Sequence, residues 1–181
     1  LNYRKRDFST NSSYKLDSFS AKIGLNYFFQ EDLSHNVSLN YILKDYLITN
    51  SSTVSDSIKD LSGTNTEFNL LNSLKMNKLN LFFRPTNGYY VSFSNTLSPI
   101  TNDKNGYIKN EILYKKYYDF EPLILSFQTK IGNISSLQGD KIDDDNKFSL
   151  GGRWLRGFDS FGVGPRNSRS SYIGGNNIIV T

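Results

Sequence analysis

The feature that most constrains this chain is a recurring two-residue alternation of apolar and polar side chains, over segments about as long as a membrane-crossing strand. Successive side chains leave a strand on opposite faces, so this pattern gives one oily face and one polar face only when the backbone is extended. Across 36–44, Val37, Leu39, Tyr41 and Leu43 face one way and Ser38, Asn40 and Lys44 the other, broken only by Ile42. Ile23, Leu25 and Tyr27 alternate with Lys22, Gly24 and Asn26, and Phe68, Leu70, Leu74 and Met76 with Asn69, Ser73 and Lys75. Val91, Phe93 and Leu97 alternate with serines and a threonine, and Leu123, Leu125, Phe127 and Ile131 oppose Ser126, Gln128, Lys130 and Gly132.

The pattern predicts strands near 2–8, 15–28, 36–48, 66–77, 88–98, 107–118, 123–134 and 175–181. Short turns are expected at 30–35 and 119–122, an intermediate one at 78–88, and longer polar connections at 45–63, 99–106 and 135–174. Alternating short and long connections suit an outer-membrane barrel, with tight periplasmic turns and longer external loops. Tyr, Phe, Asn and Ser are abundant while Ala is nearly absent, which favours strands and turns over helices. No run approaches the ~20 apolar residues of a membrane helix, so a membrane could be crossed only by a barrel. Aromatics gather at the predicted strand ends, among them Tyr27, Phe28, Phe29, Tyr41, Tyr46, Phe82, Phe83, Tyr117, Tyr118 and Phe120. Interfacial girdles place aromatics there, although a soluble sandwich also alternates.

The net charge of +4 is spread along the 181 residues, which argues against nucleic acid as a partner. The absence of cysteine fits an exported protein without disulfides. The chain opens on Leu1 and stops in the apolar run Ile178-Ile179-Val180-Thr181, so an excerpt of a longer protein is expected.

The last third carries an ordered set of elements. Phe148-Ser149-Leu150-Gly151-Gly152-Arg153-Trp154-Leu155-Arg156-Gly157-Phe158 precedes Gly162-Val163-Gly164-Pro165-Arg166, and then Tyr172-Ile173-Gly174-Gly175-Asn176. Upstream stands Phe83-Arg84-Pro85-Thr86-Asn87-Gly88-Tyr89-Tyr90-Val91. Together these resemble the signature of the BamA family of outer-membrane assembly factors: a Gly-Gly pair with Arg-Gly-Phe on a long loop, then Gly-x-Gly-Pro, a Gly-Gly-Asn strand entry, and an earlier Pro-Thr-x-Gly turn. The chain departs from the family just before that turn, where Met76-Asn77-Lys78-Leu79-Asn80 replaces the usual aspartates.

The resemblance implies an all-β, antiparallel transmembrane barrel, incomplete here at about seven to eight strands. It implies that the long loop folds into the lumen and rests Arg156 against the inner wall, with Phe158 packed there and Trp154 as a second anchor. The functional loop is then Gly151, Gly152, Leu155, Arg156, Gly157, Phe158, Gly164 and Pro165, and the turn motif Pro85, Thr86 and Gly88. The glycines permit the backbone to fold back on itself. A lumenal guanidinium must be paired, and its planar fork suits a carboxylate or backbone oxygens. The family's receiving carboxylates lie on strands after Thr181, and only Glu67 and Glu111 could substitute within clear strands.

No catalytic constellation is visible, so no enzyme, cofactor or metal is expected. Asp143-Asp144-Asp145 lacks the spacing of a calcium loop, and His35 is the sole histidine. Gly-x-Gly-Pro is followed by no Lys-Ser or Lys-Thr and is not a phosphate loop. Arg153, Arg156, Arg166 and Arg169 form only a loose basic group. By resemblance the function is that of an insertase in the outer membrane of a Gram-negative bacterium, working without nucleotide hydrolysis. Its partners would be unfolded outer-membrane proteins, outer-membrane lipid and assembly lipoproteins bound through periplasmic domains. A polypeptide-translocating pore of the same superfamily is the alternative, and a passive porin or soluble β-barrel a third reading.

Overall fold

The computed structural model describes residues 1–181 except 10–12, 55, 102, 103, 140, 153, 160, 161 and 167–171. Eight strands form one antiparallel sheet in simple chain order: β1 (Asn2–Asp7), β2 (Tyr14–Gln30), β3 (Leu33–Ile48), β4 (Gly63–Leu79), β5 (Gly88–Thr101), β6 (Lys104–Phe120), β7 (Leu123–Ser136) and β8 (Asn177–Val180). Among the described residues, a helical turn, α1 (Asp56–Lys59), lies between β3 and β4, and a 3₁₀ turn (Asp144–Asn146) between β7 and β8. β1 and β8 are the two ends of the sheet, which does not close on itself.

Burial separates a membrane wall from a soluble sandwich. The polar face is the covered one: Ser38 and Ser98 are 0 % exposed, Ser73 4 % and Asn69 6 %. The apolar face is open, with Ile23 74 % and Leu25 81 % exposed, and Leu39, Phe68, Phe93, Ile112 and Ile131 all exposed as well. A water-soluble sheet would bury its oily face. This sheet is inside-out, as a wall between lipid and a polar lumen must be.

Small hydroxyl and amide side chains line the inner face, and polar bonds join parts of it. The Ser73 and Ser94 hydroxyls are 3.1 Å apart. Tyr107 donates its hydroxyl to Glu67 at 2.5 Å, and Asn69 donates to the same carboxylate oxygen at 2.8 Å. At one end of the sheet two-residue links join β2 to β3 and β6 to β7. There Tyr27, Phe28, Phe29, Phe82, Phe83, Tyr118 and Phe120 are exposed, as an interfacial girdle requires. Tyr46 departs from the girdle expected of it: it is buried on the polar face, 6.0 Å from the ring of Tyr14.

The longer polar connection expected at 99–106 is absent, since β5 runs to Thr101 and β6 starts at Lys104. Pro99, at the start of that stretch, cannot donate to a ladder. In the fold it sits where the register against β4 shifts, Phe68 pairing Ile100 and Leu70 pairing Leu97. A bulge of this kind is where a strand tolerates proline. At the same end of the sheet, residues 137 to 176 connect β7 to β8.

Candidate functional site

The 137–176 loop is held in shape by its own backbone. Phe148 and Gly175 exchange both hydrogen bonds, at 3.0 and 2.8 Å, closing its base. Further out, Val163 donates to Leu150 at 3.1 Å and Ile173 to Pro165 at 3.0 Å. Gly152 donates to Phe158 at 2.9 Å, which makes 152–158 a tight excursion with Arg156 near its tip. Gly151, Gly152 and Gly157 all have positive φ, at +134°, +58° and +90°. Gly151 is also sterically required, because a Cβ there would stand 2.0 Å from the Asp159 carbonyl oxygen. Gly164 is positive too, at +139°, and Pro165 follows it, exposed.

The base of the loop lies on the polar face of β6, β7 and β8. Phe148 is 5 % exposed in a cluster with Tyr107, Ile134, Ile142 and Ile178. Its ring fills the space above Gly132, with Lys109 Nζ 4.4 Å from its centroid on β6 and Lys130 Nζ 5.6 Å away on β7. Lys109 also donates to the Asn146 carbonyl at 2.8 Å, and Lys130 Nζ is 5.3 Å from the Trp154 ring. Trp154 is half-buried beside Lys130.

The residues singled out at the tip stand elsewhere. Arg156 is exposed, and Phe158 is 53 % exposed rather than packed on the wall. Neither Glu67 nor Glu111 receives Arg156: Glu67 serves Tyr107 and Asn69, and Glu111 pairs with Lys130 at 2.5 Å. Leu155 is half-buried and accepts a long 3.4 Å bond from the Phe158 amide. The aromatic buried at the base of the loop is Phe148, which sequence reading passed over because its seat, Gly132, and its two lysines lie on strands far from it in sequence. Arg166 is stacked on Tyr172, 4.1 Å from the ring centroid, so it belongs to the loop's own fold. Arg153 and Arg169 fall outside the described residues. In the acidic run, Asp144 pairs with Lys147 at 2.7 Å.

The Pro85-Thr86-Asn87-Gly88 turn between β4 and β5 is built around Asn80. Its side-chain oxygen accepts from the Thr86 and Asn87 amides, both at 3.1 Å, and its nitrogen donates to the Thr86 hydroxyl at 2.8 Å. Pro85 and Thr86 are half-buried under this network. Gly88 has φ +105°, and a Cβ would meet the Lys78 carbonyl oxygen at 2.1 Å.

Residues 1–181 match the Omp85 superfamily domain. The chain belongs to the Omp85 superfamily. Within reach of it is the outer membrane protein assembly factor BamA of Neorickettsia risticii (strain Illinois), 30% identical over 183 residues. That likeness covers 98% of this chain and 24% of the relative, so the chain spans about a quarter of the length of the curated protein it matches. Among solved structures, BamA from Haemophilus ducreyi lacking POTRA domains 1–3 superposes with a TM-score of 0.76. It covers 98% of this chain and 39% of that one at 21% identity, a likeness of fold. The inside-out sheet is accordingly Omp85 barrel wall, and its place is the outer membrane of a Gram-negative bacterium.

Proposed function

We propose that this chain supplies wall and lumenal loop to an insertase that assembles β-barrel proteins into the outer membrane without nucleotide hydrolysis or covalent chemistry. The observation that carries the reading is the Gly151-Gly152…Arg156-Gly157-Phe158 excursion, presented from a loop whose base is seated on the polar face. The match to a protein named as an assembly factor supports it over the translocating pore. Unfolded outer-membrane proteins would be the clients, and lipoproteins bound through periplasmic domains the assembly partners. A client strand can add to a poorly paired barrel edge by β-augmentation, because an unpaired edge in lipid costs several kcal/mol per group. Here β2 to β7 are each paired on both sides and serve as the rigid part of the wall.

Arg156 is the group we assign to grip a carboxylate across the lumen of the closed barrel, where a bidentate fork gives geometry as well as charge. Arg156→Ala in the full-length protein is expected to lower outer-membrane protein levels and to weaken barrel stability by about 1.5–3 kcal/mol. Arg156→Lys should recover only part of this, since an ammonium cannot reproduce the fork. Normal client assembly and an unshifted unfolding curve in Arg156→Ala would sink the latch.

A further inference from the structure

We infer that the loop has a second, independent attachment at its root: Phe148 is a positioning residue that docks into a seat on the inner wall formed by Gly132, Lys109 and Lys130. The inference deepens the proposed latch, because it fixes where the arm carrying Arg156 begins, but it does not depend on what Arg156 grips.

Three features make this a built seat. The first is shape. Gly132 lies on β7 opposite Glu111 on β6 and Ile178 on β8, all on the polar face. A Cβ at Gly132 would stand 2.5 Å from Phe148 Cζ, so the missing side chain is the space the ring occupies. Isoleucines on both neighbouring positions, Ile134 and Ile178, are 1 % and 7 % exposed and form its apolar sides. The second is charge. Two ammonium groups approach the ring at 4.4 and 5.6 Å, within the range where a cation is drawn to an aromatic face. Each lysine is tied down by a further contact, Lys109 to the Asn146 carbonyl and Lys130 to Glu111. The third is backbone. Phe148 and Gly175 exchange two hydrogen bonds, and Ile134 donates to the Asn176 carbonyl at 2.8 Å, so both limbs of the loop are pinned at this one level.

An arm fixed at its root restricts where its tip can go. Seating Phe148 raises the effective concentration of Arg156 at the inner wall, in the way any tether favours a second contact. Loss of the seat would leave the arginine intact but free to wander.

The chain contains no cysteine, so a reporter can be placed without background from it. Ser149→Cys, beside the anchor and half-buried, is to be introduced into full-length protein otherwise free of cysteine and reconstituted in phosphatidylcholine vesicles. The rate of labelling by a water-soluble maleimide then reads how often the root lifts. Phe148→Ala and Gly132→Ala should each raise that rate about tenfold or more, the first by emptying the seat and the second by filling it. Combined, they should be no worse than Phe148→Ala alone, since the added methyl then enters vacated space. Folding of the barrel is checked in parallel by its resistance to detergent at room temperature. Phe148→Ala should raise the rate in an Arg156→Ala background as well, which separates failure of the seat from failure of the latch. Unchanged labelling in folded Phe148→Ala, or additive effects in the double variant, would overturn the inference.

Discussion

Asn80 shows how one side chain can replace a family feature with different chemistry. The turn it organises needs two backbone amides satisfied, and the Asn80 side-chain oxygen accepts from both Thr86 and Asn87. An aspartate in place of Asn80 could accept the same two bonds. The amide adds a donor to the Thr86 hydroxyl, and a hydroxyl can equally turn and donate to a carboxylate. Asn80→Asp should therefore be close to neutral. Asn80→Ala strands two amides and should cost about 1–2 kcal/mol, read as a shift in the urea midpoint of the folded full-length protein. Gly88→Ala should cost more than either, because its Cβ would collide with the Lys78 carbonyl and its φ of +105° is foreign to alanine. If Asn80→Asp proved as damaging as Asn80→Ala, the bond donated to Thr86, and not the two accepted ones, would be what holds the turn.

Between strands, register assembles what no single segment displays. Asn72 pairs with Asn95, Asn95 with Asn110, Asn110 with Asn133, and Asn133 with Asn177, so five consecutive strands place asparagine on one row. The row lies on the lipid-facing side: Asn72 falls between Leu70 and Leu74, and Asn110 between Ile108 and Ile112. Amides there are tolerable because they serve each other. Asn95 donates to Asn110 and Asn133 to Asn177, both at 2.7 Å, and His35 bonds the Asn72 oxygen. Such ladders stabilise stacked strands, whereas a lone amide in hydrocarbon is expensive. Asn110→Leu should thus be unfavourable by about 1–3 kcal/mol despite adding an apolar side chain to an apolar face, because it orphans Asn95. Asn95→Leu together with Asn110→Leu should recover most of that loss in the same unfolding titration, and a double variant worse than the single would contradict the ladder. The row also marks the limit of what the sequence discloses. Alternation is a property of one segment, so strands and faces could be read directly, whereas a row of asparagines spread over five strands could not. Pairing partners are set by turns and bulges elsewhere, which is why the ladder, the Phe148 seat on Gly132 and the continuation of β5 through Pro99 emerged only from the fold. Glycines were legible for the opposite reason: the fold-back at Gly151, Gly152 and Gly157 is a local demand that glycine meets.

At the scale of the molecule, one inversion governs how substitutions should behave: the covered face is polar and the open face is oily. In a water-soluble sheet a lysine placed on the open face would be nearly free, and one on the covered face costly. A lipid-facing wall reverses the order, since a charge at the bilayer midplane costs about 2–4 kcal/mol while lumenal positions are wetted. Strand β7 allows both cases to be tested on one backbone. Ile131 is 45 % exposed on the oily side near the middle of the strand, and Ser126 is exposed on the polar side. Ile131→Lys should lower stability by about 2–4 kcal/mol in phosphatidylcholine vesicles, and Ser126→Lys by less than about 1 kcal/mol. The measurement is the guanidinium midpoint of the full-length protein, followed by the loss of its detergent-resistant folded form. The difference should widen in thicker bilayers, where Ile131 sits farther from either surface, and shrink in thin ones where a lysine can snorkel to the headgroups. A result in which Ser126→Lys is the more damaging, or bilayer thickness makes no difference, would mean that the alternation read from the sequence faces water on its apolar side. The barrel wall, the lumenal loop and the seat of Phe148 would then all have to be abandoned together.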